Sequence, residues 1–284
     1  MIFIWQRNKN GLKNWLAGRT KLTDVDSIIL GDVRDSACYE MFKGCTLLDT
    51  IPYLQIGTAG KRVGKHALCR MFQGDTKLRI ANAPVLAATT LKDGAYQQMF
   101  ENCSSLQYSP AYLPADSVGH LGYMQMFNGC ASLTTSPESL PLLSVSDSLY
   151  FQMFANCTVL PKAVATLGSS SVGKKGYFEM YKGCKALTTA PNMPALINIG
   201  DSTCMGMFNG CESLTKLGTW QPATVGKSAL QAMFNGCISL IDASPIHLTP
   251  EVVDTMSYYQ MFSGCPALAI APQIDARVVD VRGC

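Results

Sequence analysis

A methionine followed by an aromatic residue recurs along this chain at nearly constant spacing. Nine such pairs begin at Met41, Met71, Met99, Met126, Met153, Met180, Met207, Met233 and Met261, at intervals of 30, 28, 27, 27, 27, 27, 26 and 28 residues. A fixed period of this length is the signature of a solenoid, in which each repeat forms one turn of a stack. The sequence therefore predicts stacked turns rather than a fold around one central core.

Numbering each turn from its methionine as position 0 shows which positions are fixed. Position +3 is glycine or asparagine and position +7 is leucine in all nine turns, while position −8 is always aliphatic. Position +4 is cysteine in eight turns, and Asp75 is the exception. A weaker turn with Trp15 in the methionine place precedes the first pair. We therefore predict an N-terminal degenerate capping turn in residues 1–30, nine repeats in 31–275, and a C-terminal end with no visible cap in 276–284.

The fixed positions also suggest the path of each turn. Position −6 is aspartate at Asp35, Asp93, Asp147 and Asp201, and aspartate often caps the free amides at the start of a helix. The glycine or asparagine at +3 is typical of a helix end, and the residues from +4 to +10 suit a short inward-facing strand. Helices pack about 8–10 Å apart and strands about 4.8 Å apart. We thus expect an α/β solenoid, a curved leucine-rich-repeat stack with short strands on the concave side and short helices on the convex side.

The repeated unit M-F-x-G-C-x-x-L-x-x-A-P, preceded by V-G and an aromatic residue, resembles the BspA-type leucine-rich repeat. The resemblance covers residues 12 to about 275. That family is widespread in surface proteins of Bacteroides and treponemes and in their phages, and its members are described as adhesins or binding proteins. The matching positions are core positions, so the resemblance assigns no binding residue.

Composition narrows the function classes. Hydrophobic residues make up 48% of the chain and charged residues 15%, with a formal net charge of +3, a balance that does not indicate nucleic-acid binding. No apolar run is long enough to span a bilayer, so we expect no membrane insertion. The opening Met1–Trp5 is apolar but short and precedes the basic residues, which is not the order of a signal peptide. We expect a phage particle, an intracellular protein or a fragment of a larger bacterial surface protein.

The cysteines and histidines do not indicate catalysis. Neighbouring cysteines of the +4 column should lie too far apart for systematic disulfides, so we predict reduced, buried thiols. No C-x-x-C pair occurs, which argues against zinc, and His66, His120 and His247 fall at unrelated phases of the repeat. The recurring V-G-K lacks the Lys-Ser or Lys-Thr of a phosphate-binding loop. We predict no enzyme activity, no metal and no cofactor.

Two surfaces remain as candidates for partner binding. Position +9 lies between inward-facing positions and should face outward; it holds Thr50, Ile80, Tyr108, Thr135, Lys162, Thr189, Lys216, Asp242 and Ile270. The second candidate is the C-terminal end of the stack, where Val279 and Val281 alternate with charged residues. A recognition module for a protein or glycan, such as a cell-surface adhesin or phage attachment module, would use the first surface. A structural component of a virion or filament would use the second to contact other copies of itself. A solvated sheet face would explain the +9 residues equally well.

Asp75 should be a local irregularity, since a carboxylate buried without partners is costly. We expect it to accept hydrogen bonds from backbone amides or to reach solvent. The near-constant spacing also predicts a continuous stack without a linker or second domain.

Overall fold

A computed structural model of the chain describes residues 2–4, 10–141, 146–167, 169, 171–193, 198–249 and 252–274. They fall into two compact units, Met1–Pro141 and Leu142–Cys284, and each unit is a β-solenoid of short parallel strands. The turns numbered from Met41, Met71, Met99 and Met126 lie in the first unit, and those from Met153 onward lie in the second. The predicted continuity between the units, like the predicted domain bounds, stays a prediction.

The described residues of the first unit form the strands β1 Ile2–Ile4, β2 Ile28–Leu30, β3 Thr50–Ile51, β4 Leu54–Ile56, β5 Arg62–Val63, β6 Arg79–Ile80, β7 Val85–Leu86, β8 Thr90–Leu91 and β9 Ser117–Val118. They form three parallel sheets with the orders β1-β2-β4-β7, β3-β6 and β5-β8-β9. Each strand pairs with the equivalent strand one turn along, so the sheets run along the stack. The aliphatic −8 residues, such as Val63 and Leu91, point into the core.

The second unit repeats this plan with β10 Ser171–Val172, β11 Asn198–Ile199, β12 Thr224–Val225, β13 His247–Leu248, β14 Val252–Val253 and β15 Gln273–Ile274. Its sheets have the orders β10-β11-β12-β14 and β13-β15, both parallel. Val172, Ile199 and Val225 again occupy position −8 and are buried.

The predicted helices are wrong, because the described part of the chain contains none. Positions −6 to +4 instead form a series of overlapping tight turns, which we call the turn ribbon. Within it amides alternate between two kinds of acceptor: Met41 donates to the Cys38 carbonyl three residues back (3.2 Å), and Phe42 donates to the Met71 carbonyl of the next turn (2.8 Å). Every fourth residue has a positive φ, at positions −5, −1 and +3, for example 51° at Glu40 and 73° at Gly44. An α-helix needs negative φ and bonds to the fourth residue back, and this pattern provides neither.

Curvature was expected because packed helices are spaced more widely than strands, and without helices this reason no longer applies. Turn ribbons stack through backbone hydrogen bonds rather than through helix packing. The aromatic rings at position +1 lie nearly parallel, with centroids 5.2–5.6 Å apart in the first unit and 5.4–5.7 Å apart in the second. These spacings are far below the 8–10 Å that packed helices require.

The cysteines at +4 have a specific role in the core. Seven of the described +4 thiols donate to the carbonyl of the +1 residue in the preceding turn, as Cys103 does to Phe72 and Cys211 to Tyr181; these Sγ to O distances are 3.0–3.2 Å. Eleven cysteines in the described part are free, and all but Cys265 are buried. Burial raises the pKa of Cys45 to about 11 and that of Cys184 to about 12. The prediction of buried, unbridged thiols is confirmed for these residues.

Position −6 carries acidic and basic residues in alternation, in the order Asp35, Lys65, Asp93, His120, Asp147, Lys174, Asp201 and Lys227. Each aspartate accepts a bond from the backbone amide at −6 of the next turn, at 2.8–3.3 Å. Two of the lysines also pair with the aspartate of the following turn, Lys65 with Asp93 (3.7 Å) and Lys174 with Asp201 (3.2 Å). The aspartates therefore cap a neighbouring turn rather than a helix of their own.

Candidate binding surface

In the first unit most of the +9 residues face solvent. Thr50 is half-buried and lies in register between Asp24 and Arg79 on adjacent turns. Tyr108 is 38% exposed. Thr135 is exposed, and its hydroxyl oxygen accepts a bond from the Ser109 amide (2.9 Å). These three side chains present hydroxyls and one aromatic ring outward.

Ile80 does not belong to this surface. It is 2% exposed, and it pairs in β6 with the buried Ile51 rather than with Thr50. In the turn numbered from Met71 the outward-facing residue is at +8 rather than +9, because Arg79 is the register partner of Thr50. Its guanidinium forms an ion pair with Asp49 (2.7 Å). The fixed +9 offset therefore failed in this turn.

The second unit continues the exposed positions with different chemistry. Lys162, Thr189 and Lys216 are exposed, and Thr189 and Lys216 form a parallel bridge. Neither lysine has a carboxylate within ion-pair distance among the described residues. Asp242 is half-buried and bridges to Ile270, which is 49% exposed. The hydroxyl and amide of Ser244 hold the pKa of the Asp242 carboxyl below its usual value. We use the name "+9 column" for Thr50, Tyr108, Thr135, Lys162, Thr189, Lys216, Asp242 and Ile270.

Val279 and Val281 lie outside the described residues, so the structure does not show where they point. The last described turn, Val252–Ile274, has a less buried core than the turn before it. Phe262, Cys265 and Leu268 are half-buried there, whereas Phe234, Cys237 and Leu240 are buried.

The amides of Tyr258, Gln260, Phe262 and Gly264 in that turn have no acceptor within the described ranges. The equivalent amides one turn earlier donate across the stack at 2.8–2.9 Å.

Sequence reasoning missed two shallow cavities between adjacent turns. One, of about 310 Å³, is lined by Ala83–Ala87 of one turn and by Ala111, Tyr112 and Pro114 of the next. The other, of about 250 Å³, is lined by Thr219, Trp220, Gln221, Pro245 and His247. The paired prolines Pro110 and Pro114 were the available signal for the first, since proline cannot complete a strand ladder.

The three histidines occupy different positions of the repeat. Only His247 lines one of these cavities, and no group of three or more His, Cys, Asp or Glu side chains in the described ranges could hold a metal ion. Within the same ranges, no helix is long and apolar enough to cross a membrane.

No protein-family model and no curated protein matches the chain. Among solved structures it is similar to leucine-rich repeat proteins of three bacteria. The T. pallidum protein is 21% identical, with 67% of this chain and 76% of that chain covered and a TM-score of 0.37. A leucine-rich cell surface protein from Faecalibacterium prausnitzii is 19% identical (93% and 69% covered, TM-score 0.40). A leucine-rich repeat protein from Bacteroides ovatus is 15% identical (93% and 86% covered, TM-score 0.40).

Proposed function

We propose that the chain is a non-catalytic recognition scaffold that binds a protein or glycan through its +9 column. The observation that carries this proposal is the contrast between neighbouring positions. All the +9 residues except Ile80 are half-buried or exposed, while the leucines at +7 are buried in the turns numbered from Met41 to Met233. The outward residues differ in chemistry from turn to turn, while the core beneath them repeats. A fixed core under a variable face is how solenoids recognise partners.

The rigidity of the column favours binding. Its residues lie on segments that hydrogen-bond to the turns on either side, for example Ala190 to Lys216 (2.9 Å) and Ala243 to Ile270 (2.9 Å). Because little backbone freedom is left to lose, a partner meets a preorganised surface. The ring of Tyr108 supplies apolar contact area with a polar tip.

Exposed lysines give the second unit a preference for partners that carry acidic groups. Lys162 and Lys216 flank Thr189, and both ammonium groups are exposed. They would attract an acidic group on a partner and fix its position along the column. An adhesin on a bacterial surface, or an attachment module on a phage particle, would use such a face for its ligand.

The test is binding of the fluorescently labelled chain to an array of glycans and purified host-surface proteins. The variant Lys162→Glu/Lys216→Glu reverses the charge of the column, and Tyr108→Ala removes its ring. We expect each to weaken binding to the ligand found by tenfold or more. The matched control is Lys21→Glu/Lys77→Glu, which makes the same charge change at exposed lysines outside the column. The proposal would be refuted if Lys162→Glu/Lys216→Glu and the control lost binding affinity equally. It would also be refuted if the labelled chain bound no glycan and no protein on the array.

A second candidate function is assembly with other copies through residues 276–284, where Val279 and Val281 alternate with charged residues as in a short strand. Light scattering after size exclusion tests this: an oligomer that charge substitutions at Val279 and Val281 abolish, with the fold intact, supports assembly. A monomer at all concentrations favours the recognition scaffold.

A further inference from the structure

The cavity beside β7 lies at an interruption in a sheet. β7 is the last strand in the order β1-β2-β4-β7, so one of its edges has no strand beside it. The segment Ala111–Pro114 of the next turn faces that edge without joining it, and the cavity of about 310 Å³ lies between the two. The stack therefore has a missing strand at this place.

The free edge carries an unpaired donor and acceptor. The Ala87 amide donates to the Ile56 carbonyl (2.8 Å), and Leu86 is the register partner of Ile56. In a parallel ladder the backbone groups of alternate residues point to opposite neighbours, so Leu86 directs its N–H and C=O away from β4. Neither group has a backbone partner among the described residues, although Leu86 is only 3% exposed. Buried backbone groups are nearly always paired, so this pair is unusual.

The opposite wall does not make the missing bonds. Pro110 and Pro114 have no amide to donate, the Ala111 carbonyl accepts from the Glu138 amide (2.9 Å), and no described group of Ala111–Pro114 bonds to the backbone of Leu86. The next turn therefore leaves the gap open.

The remaining walls are apolar and fixed. Val85 is 38% exposed and Tyr112 is 59% exposed, and the alanines and prolines between them leave room for a side chain. The Tyr112 hydroxyl is hydrogen-bonded to the Glu138 carboxylate, which limits rotation of the ring. An exposed aromatic ring held in this way is a suitable wall for an apolar side chain.

We propose that this groove binds an extended peptide segment of a partner protein, which adds as a strand beside β7. Its backbone pairs with the N–H and C=O of Leu86, and one of its apolar side chains fills the space between Val85 and Tyr112. Backbone pairing supplies affinity and the apolar pocket supplies sequence preference, as in other cases of strand addition. This site is separate from the +9 column, so either proposal can fail without the other.

The test begins with a phage-displayed library of random ten-residue peptides, selected against the full chain. The variant Ala111→Phe places a ring in the groove at an exposed position, and Ala81→Phe adds the same ring at an exposed alanine outside it. We expect selected peptides to bind the unaltered protein and Ala81→Phe equally well and to bind Ala111→Phe at least tenfold more weakly. Thermal unfolding of both variants checks that they fold.

Amide hydrogen exchange then locates the contact. A saturating synthetic copy of a selected peptide should slow exchange at Leu86 by tenfold or more and leave the already bonded Ala87 amide little changed. The proposal is overturned if no selected peptide distinguishes Ala111→Phe from Ala81→Phe, or if Leu86 exchange does not change. A change in oligomeric state confined to Ala111→Phe would also overturn it, because the occupant would then be a second copy of the chain.

Discussion

Asp75 occupies position +4, where the other eight turns numbered from Met41 to Met261 hold a cysteine. Its side chain is fully buried, one carboxyl oxygen accepts the Cys45 amide (2.7 Å), and the other has no partner. Burial raises the pKa of this carboxyl to about 8, although the Cys45 and Gly44 amides oppose the shift. Burial therefore favours the neutral carboxyl near pH 7, but no described group accepts a hydrogen bond from it, so it does not replace the bond of the missing thiol. The sequence predicted hydrogen bonds from backbone amides or access to solvent, and the structure shows the first of these; the raised pKa depends on burial and could not be predicted.

The raised pKa makes stability depend on pH in a defined direction. The unfolded carboxyl titrates near pH 3.9, so between about pH 4 and pH 8 the folded state binds the additional proton. As the pH rises through this window, the free energy of unfolding should therefore decrease by about 1.4 kcal/mol per pH unit because of this group alone. Above about pH 8 this contribution should no longer change. Urea unfolding at several pH values measures this.

Two substitutions isolate the contribution of Asp75 to the pH dependence of stability. Asp75→Asn keeps the shape without the titration and should remove that part of the slope. Asp75→Cys restores the common residue and should be neutral or stabilising at pH 8. A loss of more than about 2 kcal/mol in Asp75→Cys would mean that the carboxyl organises its turn.

At the scale of the element, the turn ribbon shows where sequence patterns stop being informative. The repeat period, the buried columns and the left-handed residue at +3 could all be predicted, because glycine or asparagine marks that last position. The left-handed residues at −5 and −1 could not, since they include Ser36, Glu40 and Gln98, types that do not usually signal this conformation. Bonds between turns hold them there, and such bonds leave no local trace in the sequence. The same limit explains Ile80, whose placement depends on register with the preceding turn.

The −1 position of the second unit offers a matched test of this strain. Ala232 and Gly206 both have positive φ, 53° and 61°. Ala232→Gly should stabilise the protein by up to about 1 kcal/mol, because a left-handed conformation costs an L-residue about that much. Gly206→Ala should destabilise it by at least as much, since the new Cβ would also lie 3.1 Å from Glu179 Cγ. Equal and small effects of the two changes in thermal unfolding would contradict the strain.

The glycine of V-G-K has a structural reason rather than a chemical one. A Cβ on Gly64 would lie 2.4 Å from the Asp35 amide nitrogen and 2.5 Å from the Arg34 carbonyl carbon, so the backbone would have to move. Gly64→Ala should cost more than about 2 kcal/mol, in the range of other overpacking changes. Gly31→Ala is the control, because nothing lies within 4 Å of its added Cβ. If chemical denaturation gives the two variants the same stability, the close approach of the turns is not the reason for the glycine.

For the whole molecule, the near-constant spacing predicts a single stack through residues 142–145. Solenoid stability is a sum of terms between neighbouring turns, so a continuous stack should unfold in one cooperative transition. Calorimetry on the full chain should then give one peak. Two separated peaks would show that Met1–Pro141 and Leu142–Cys284 unfold independently.

The alternation of charge at −6 sets a rule for how such a chain can lengthen or shorten. Within the first unit, removing the turn that carries Lys65 would bring Asp35 beside Asp93. Removing two consecutive turns would instead bring Asp35 beside His120 and preserve the charge order. A chain lacking residues 65–92 should therefore be less stable than one lacking the pair of turns 65–119, although it loses fewer contacts, and urea unfolding of the two compares them. The heritable module of this protein would then be a pair of turns, gained or lost together.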